Sequence, residues 1–150
     1  MSKRSQRRGI RTRVAKAGLA APMLEALEHR LVLATIAWDG GPAGTGTAWS
    51  DPANWAGDVL PGPTDDALIN VGANPTIQIS GVVAVRSVAS SEALAISGSL
   101  TVTDASLFSA AVSLTGTLAG TGDCTFAAPL TWSGGVMAGP ATTGGPVGRT

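Results

Sequence analysis

A single cysteine, Cys124, excludes an intrachain disulfide. The fold must then rest on burial and hydrogen-bond ladders, and the redox compartment stays open. Tyrosine is absent, and the only histidine is His29. Past residue 31 there is no histidine or lysine, and the only arginines are Arg86 and Arg149. General acid–base and nucleophilic chemistry draw on these side chains, so no catalytic residue is expected in the body of the chain. Charged residues make up 13%, against roughly 25% in ordinary soluble domains. No apolar run approaches the roughly 20 residues of a membrane span. No glycine-rich phosphate loop and no zinc-ligand spacing occurs, and neither a metal nor a cofactor is expected.

Glycine, serine, threonine and alanine fill the gap left by charge. The length of 150 residues has room for one ordinary domain. The net charge of zero hides an asymmetry. Residues 1–30 carry eight Lys and Arg against Glu25 and Glu28, a net of +6, whereas residues 31–150 carry two Arg against eight Asp and Glu, a net of −6. Such a split joins a basic targeting or contact segment to a mildly acidic body.

Residues 1–18 are polar and basic, and read as a disordered tail or as an arm for phosphates. No aromatic residue is interleaved there for base stacking, so nucleic acid is not the expected partner. Residues 19–35 follow. Leu19–Ala34 is patterned as a short amphipathic helix, with Pro22 in the first turn and Leu24, Leu27 and Leu31 at helical spacing. Glu25, Glu28, His29 and Arg30 interrupt any secretory h-region.

Residues 36–71 hold three of the four tryptophans, Trp38, Trp49 and Trp55. Glycines and a Ser50–Asn54 turn lie among them, and Leu60–Asp66 reads as a rigid proline turn before a strand over Ala67–Val71. Large indoles are the expected source of order in a segment with no regular period, so Trp38, Trp49, Trp55, Pro61 and Asp65 are the candidate cap residues. Asp39, Asp51, Asn54, Asp58, Asp65 and Asp66 could offer oxygens to Ca²⁺, but their spacing fits no calcium loop, and turn roles are expected. Asp65 and Asp66 are neighbours on an extended chain and point to opposite sides.

Residues 72–139 alternate short β runs with small turn residues. Strands are expected over Thr76–Ile79, Val82–Val88, Leu94–Ile96, Leu100–Val102, Val112–Leu114, Cys124–Phe126 and Leu130–Trp132. Gly81, Gly98, Gly116 and Gly134 stand 17, 18 and 18 residues apart, each after a Ser or Thr. A fixed short period marks a solenoid whose coils stack, with aliphatics inside and Ser and Thr outside. The fold class expected is all-β, a parallel β-helix of about three and a half coils, preceded by the basic tail and one short helix. A sandwich of short strands is the architectural alternative. Cys124 reads as a small core residue, and Asp104 and Asp123 as turn aspartates. Residues 140–150 carry no hydrophobic pattern and no cap for a last coil, so the chain is expected to be the N-terminal piece of a longer protein.

Two motifs carry a family resemblance. Leu27-Glu28-His29-Arg30-Leu31-Val32-Leu33, after a basic tail, resembles the LEPR-XLL region near the N-terminus of many large surface proteins of planctomycetes and related bacteria. Leu27, Glu28, Arg30 and Leu33 match its pattern, while His29 stands where proline and Val32 where leucine is expected. The Trp38–Val71 layout is similar to the opening of autotransporter-like and planctomycete β-helix proteins, and Thr131–Gly139 resembles one of their rungs. The resemblance implies export to the envelope or outside, with Leu27, Glu28, Arg30 and Leu33 as the export motif. Expected partners are glycans or other surface proteins, with envelope association through the N-terminus. The expected function is a non-catalytic structural or adhesive surface protein. A β-helix carbohydrate-active enzyme with catalytic rungs beyond residue 150, and a nucleic-acid binder acting through Met1–Arg30, are the alternatives.

Overall fold

Short runs of alternating apolar and polar residues suit strands with one face buried. In the body of this chain such runs come in threes, separated by corners too tight for a helix. The computed structural model describes residues 33–139, which contain thirteen strands and two single-turn 3-10 helices at Pro52–Asn54 and Ala56–Asp58. The helix expected over Leu19–Ala34 lies outside these residues except for its last two positions, which are not helical.

The strands form a β-solenoid of four coils. Each coil contributes one strand to each of three parallel sheets. The first sheet runs β1 (Thr35–Ala37), β2 (Asp66–Ile69), β5 (Ser87–Ser90), β8 (Ser106–Phe108), β11 (Cys124–Phe126). The second runs β3 (Ile77–Ile79), β6 (Leu94–Ile96), β9 (Val112–Leu114), β12 (Leu130–Trp132). The third runs β4 (Val82–Val85), β7 (Ser99–Val102), β10 (Thr117–Gly120), β13 (Val136–Ala138). A sandwich is excluded, because every pairing between named strands is parallel. The register fixes the coil length. Ile77 pairs with Leu94, Leu94 with Val112, and Val112 with Leu130, steps of 17, 18 and 18 residues.

Alternation then builds the core as ladders. In the second sheet Ile79, Ile96 and Leu114 stack inward in register and are fully buried. In the first, Phe108 stacks on Phe126 with ring centroids 5.1 Å apart. In the third, Val85 and Val102 pair inward, as do Leu100 and Leu118. Cys124 belongs to the same core. Burial, and then the Asp123 charge beside it, pushes its thiol above the ordinary value. Two buried serines are satisfied locally. Ser90 Oγ donates to the Glu92 carbonyl, and Ser106 Oγ accepts from Val88 N.

The glycine column has a direct steric cause. A Cβ at Gly98 would overlap the Gly81 carbonyl, and one at Gly116 would overlap the Gly98 carbonyl. Consecutive coils touch backbone to backbone at this corner. The fourth member is Gly135 and not Gly134. Thr117 pairs with Val136, a step of 19 residues, and it is Gly135 that sits against the Gly116 carbonyl, at φ +75°. The last coil therefore holds one extra residue, and Met137 rather than Val136 packs against the core.

Candidate functional site

The segment ahead of the first full coil is a partial coil folded over three indoles. β1 lies beside β2 in the first sheet, and Ala48 makes a parallel bridge with Gln78 in the second. Gln78 N donates to the Thr47 carbonyl at 2.7 Å, and Trp49 N donates to the Gln78 carbonyl at 3.1 Å. These contacts place Trp38 and Trp49 just after paired residues, and both rings are buried. Trp55 lies between them, with ring centroids 4.9 Å from Trp38 and 4.8 Å from Trp49, both edge-on. Its indole N–H donates to the Trp49 carbonyl at 2.8 Å. The three rings are continuous with the solenoid core.

Asn54 holds the loops around this cluster. Its carbonyl accepts from Asp39 N and Gly40 N, and its Nδ2 donates to the Ala48 carbonyl at 2.9 Å. The side chain is buried against Gly46, where any Cβ would overlap the amide. The aspartates serve as turn acceptors. Asp39 Oδ1 accepts from Gly41 N, Asp51 Oδ1 from Ala53 N, and Asp65 Oδ2 from Gly62 N. Pro61 is buried. Among the described residues, no three Asp, Glu, His or Cys side chains converge as a metal site would require.

A second polar cluster sits at a corner between coils. Asp66, on β2, accepts from the Arg86 guanidinium and from Ser87 Oγ. Arg86 also donates to Asp104 Oδ2 at 3.0 Å. The sequence separations of 20 and 18 residues are one coil in each direction, so one cation links three successive corners. Asp66 is thus an ion-pair member on a strand rather than a turn residue, and it points away from Asp65 as neighbours on an extended chain must. Asp123 does not stack on Asp104, because the residue over Asp104 is Gly122.

The outer surface carries the remaining pattern. In the second sheet the outward row is Gln78, Ala95, Ser113 and Thr131. In the third sheet one outward row is Val82, Ser99, Thr117 and Val136, and the next is Ala84, Thr101, Ala119 and Ala138. These rows hold hydroxyls, small groups and two exposed valines, and no charge. Corner hydroxyls are used in stacking, with Ser97 Oγ donating to the Ile79 carbonyl and Thr121 Oγ1 to the Thr103 carbonyl.

Of the candidate export residues, Leu27, Glu28 and Arg30 lie outside the described residues, and Leu33 is exposed. Sequence reasoning missed the roles of Arg86 and Asn54. For Arg86 the signal was its distance from Asp66 and Asp104, close to the coil period already visible in the glycines. The described residues form a parallel β-solenoid with three tryptophans packed at its first end. No family model, no curated protein and no solved structure matches the chain.

Proposed function

We propose that the chain is an exported surface protein whose solenoid acts as a non-catalytic structural or adhesive element. The observation that carries this reading is the outer face. Residues at one register position of successive coils form straight rows, spaced about 4.8 Å apart as in any sheet. Those rows are uncharged and carry adjacent hydroxyls, Ser99 and Thr117 on one sheet and Ser113 and Thr131 on another, with Val82 and Val136 ending the first row. A row of hydroxyls at fixed spacing matches the hydroxyls of a glycan, or the surface of a neighbouring chain, without paying for desolvation of ions. The likeness of Leu27-Glu28-His29-Arg30-Leu31-Val32-Leu33 to LEPR-XLL supports export, with the basic N-terminus associating with the envelope.

The test is location followed by binding. Cells producing the tagged chain are fractionated, and intact cells are treated with protease. Recovery in the envelope or medium, with loss of the tag on protease treatment, is expected. Recovery in the cytoplasm, out of reach of protease, overturns the reading. For adhesion, purified protein is applied to immobilised polysaccharides, and Thr117→Lys with Thr131→Lys is expected to reduce retention while the melting midpoint is kept.

A further inference from the structure

At the tryptophan end, the described residues leave one strand position unfilled. The first sheet is continued past the first coil by β1, and the second by the Ala48 bridge. Among the described residues the third sheet stops at β4, which pairs with β7 on one edge and with no strand on the other. Against this edge of β4 lies a cleft of about 280 Å³, lined by Val82 and Val83 of the strand and by Leu60, Pro61, Pro63 and Trp49.

The hydrogen-bonding groups of β4 point into it. Gln78 N and Arg86 N both donate toward the tryptophan end, to the Thr47 and Asp65 carbonyls. The Gly81 carbonyl accepts from Ser99 N on the opposite side. Backbone groups alternate along a strand, so the N–H and C=O groups of Val82 and Ala84 face the cleft. Among the described residues no protein group bonds to them. The segment across the cleft cannot close the ladder, because Pro61 and Pro63 have no N–H. Apolar side chains crowd the rim. Val82 is 89% exposed, and Leu60 is exposed as well. Among the described residues no charged side chain lines the cleft.

We propose that this cleft is an acceptor site for an extended, uncharged peptide segment, which adds to β4 as a short parallel strand. The chemistry selects the occupant. Two N–H and two C=O groups at strand spacing are matched by an extended backbone, and the missing place lies in a ladder whose every other step is parallel. The rim selects small apolar side chains at alternate positions, and the lack of counter-charges disfavours ionic ones. The proposal does not depend on where the protein resides.

The test uses the 150-residue chain and a capped peptide with the sequence of residues 98–103, the strand that already pairs with the other edge of β4. Titration followed by amide resonances is expected to give saturable shifts at Val82 and Ala84, with exchange of both amides slowed at least tenfold. Absence of shifts at millimolar peptide, or shifts confined to β11–β13, overturns the proposal. Val82→Pro removes an N–H that has no partner among the described residues, so it is expected to weaken binding at least tenfold at an unchanged melting midpoint. Unchanged affinity in that variant also overturns it. Two peptides N-methylated at alternate residues give a check independent of any variant. One should bind and the other should not, and equal binding by both refutes strand addition.

Discussion

Replacing Trp55 by alanine removes the central ring of the capping cluster. The side chain is fully buried, and it touches two further indoles at 4.9 and 4.8 Å. Truncating a buried Trp to Ala costs about 3–5 kcal/mol through lost transfer energy and the cavity left behind. The upper part of that range is expected here for two reasons. Each edge-on aromatic contact adds roughly 0.5–1.5 kcal/mol beyond burial. The Trp49 carbonyl also loses its donor, and a buried acceptor left unpaired costs about 1–3 kcal/mol. Small domains hold only about 5–15 kcal/mol in total, so this one change removes about a fifth or more. At roughly 4–8 °C per kcal/mol for domains of about this size, the melting midpoint should fall by at least about 12 °C. Circular dichroism near 218 nm and tryptophan fluorescence, followed together on heating and in urea, give the assay. Trp55→Phe separates the two contributions, since it keeps a ring and loses the N–H. It should cost about 1–2 kcal/mol. A midpoint for Trp55→Ala within about 2 °C of the parent would refute the assignment of these rings to the solenoid core.

Two other perturbations follow from named contacts. Gly98→Ala and Gly116→Ala push a Cβ into a carbonyl of the preceding coil and should each cost about 2 kcal/mol or more in urea melts, whereas Gly81→Ala, with nothing within 4 Å, should stay within about 0.5 kcal/mol. Cys124 has a thiol raised first by burial and then by Asp123, so the folded state holds its proton more tightly than the unfolded chain does. Its contribution is full below the unfolded thiol value of about 8.5 and is lost as pH rises through the folded value. Stability should therefore decline above about pH 8.5 in the parent and less steeply in Cys124→Ser. Alkylation of the thiol at pH 8 should be slow until urea unfolds the chain.

The glycine spacing made the coil legible because backbone contact at that corner admits no side chain, which leaves the same residue type at every turn. The same cause explains where the reading slipped. Gly134 and Gly135 are adjacent, and composition cannot say which of them meets the Gly116 carbonyl. The packing chooses Gly135 and adds a residue to the last coil. Val82–Val88 reads as one strand because no Gly or Pro interrupts it. The chain nevertheless turns at Arg86, whose N–H bonds to Asp65 in one coil while its carbonyl accepts from Thr103 and Asp104 in the next. Four strands went unread. They are β1, β8, β10 and β13, of which β10 ends in Gly120. In the cap, the tryptophans announced themselves by size. Asn54 did not, since a buried amide and an exposed turn amide look alike in sequence, and only Gly46 against it reveals the difference.

The stacking of coils can be measured directly by cross-linking in a Cys124→Ser background. Ala95 and Ser113 are register partners on neighbouring coils, and Thr131 is the partner of Ser113 one coil further on. Adjacent strands place Cα atoms about 4.8 Å apart, within the span of a disulfide, while two coils place them about 9.6 Å apart, beyond it. Ala95→Cys with Ser113→Cys should form a disulfide in the native protein under mild oxidation, and Ala95→Cys with Thr131→Cys should not. No cross-link in the first pair, or equal yields in both, would contradict the solenoid.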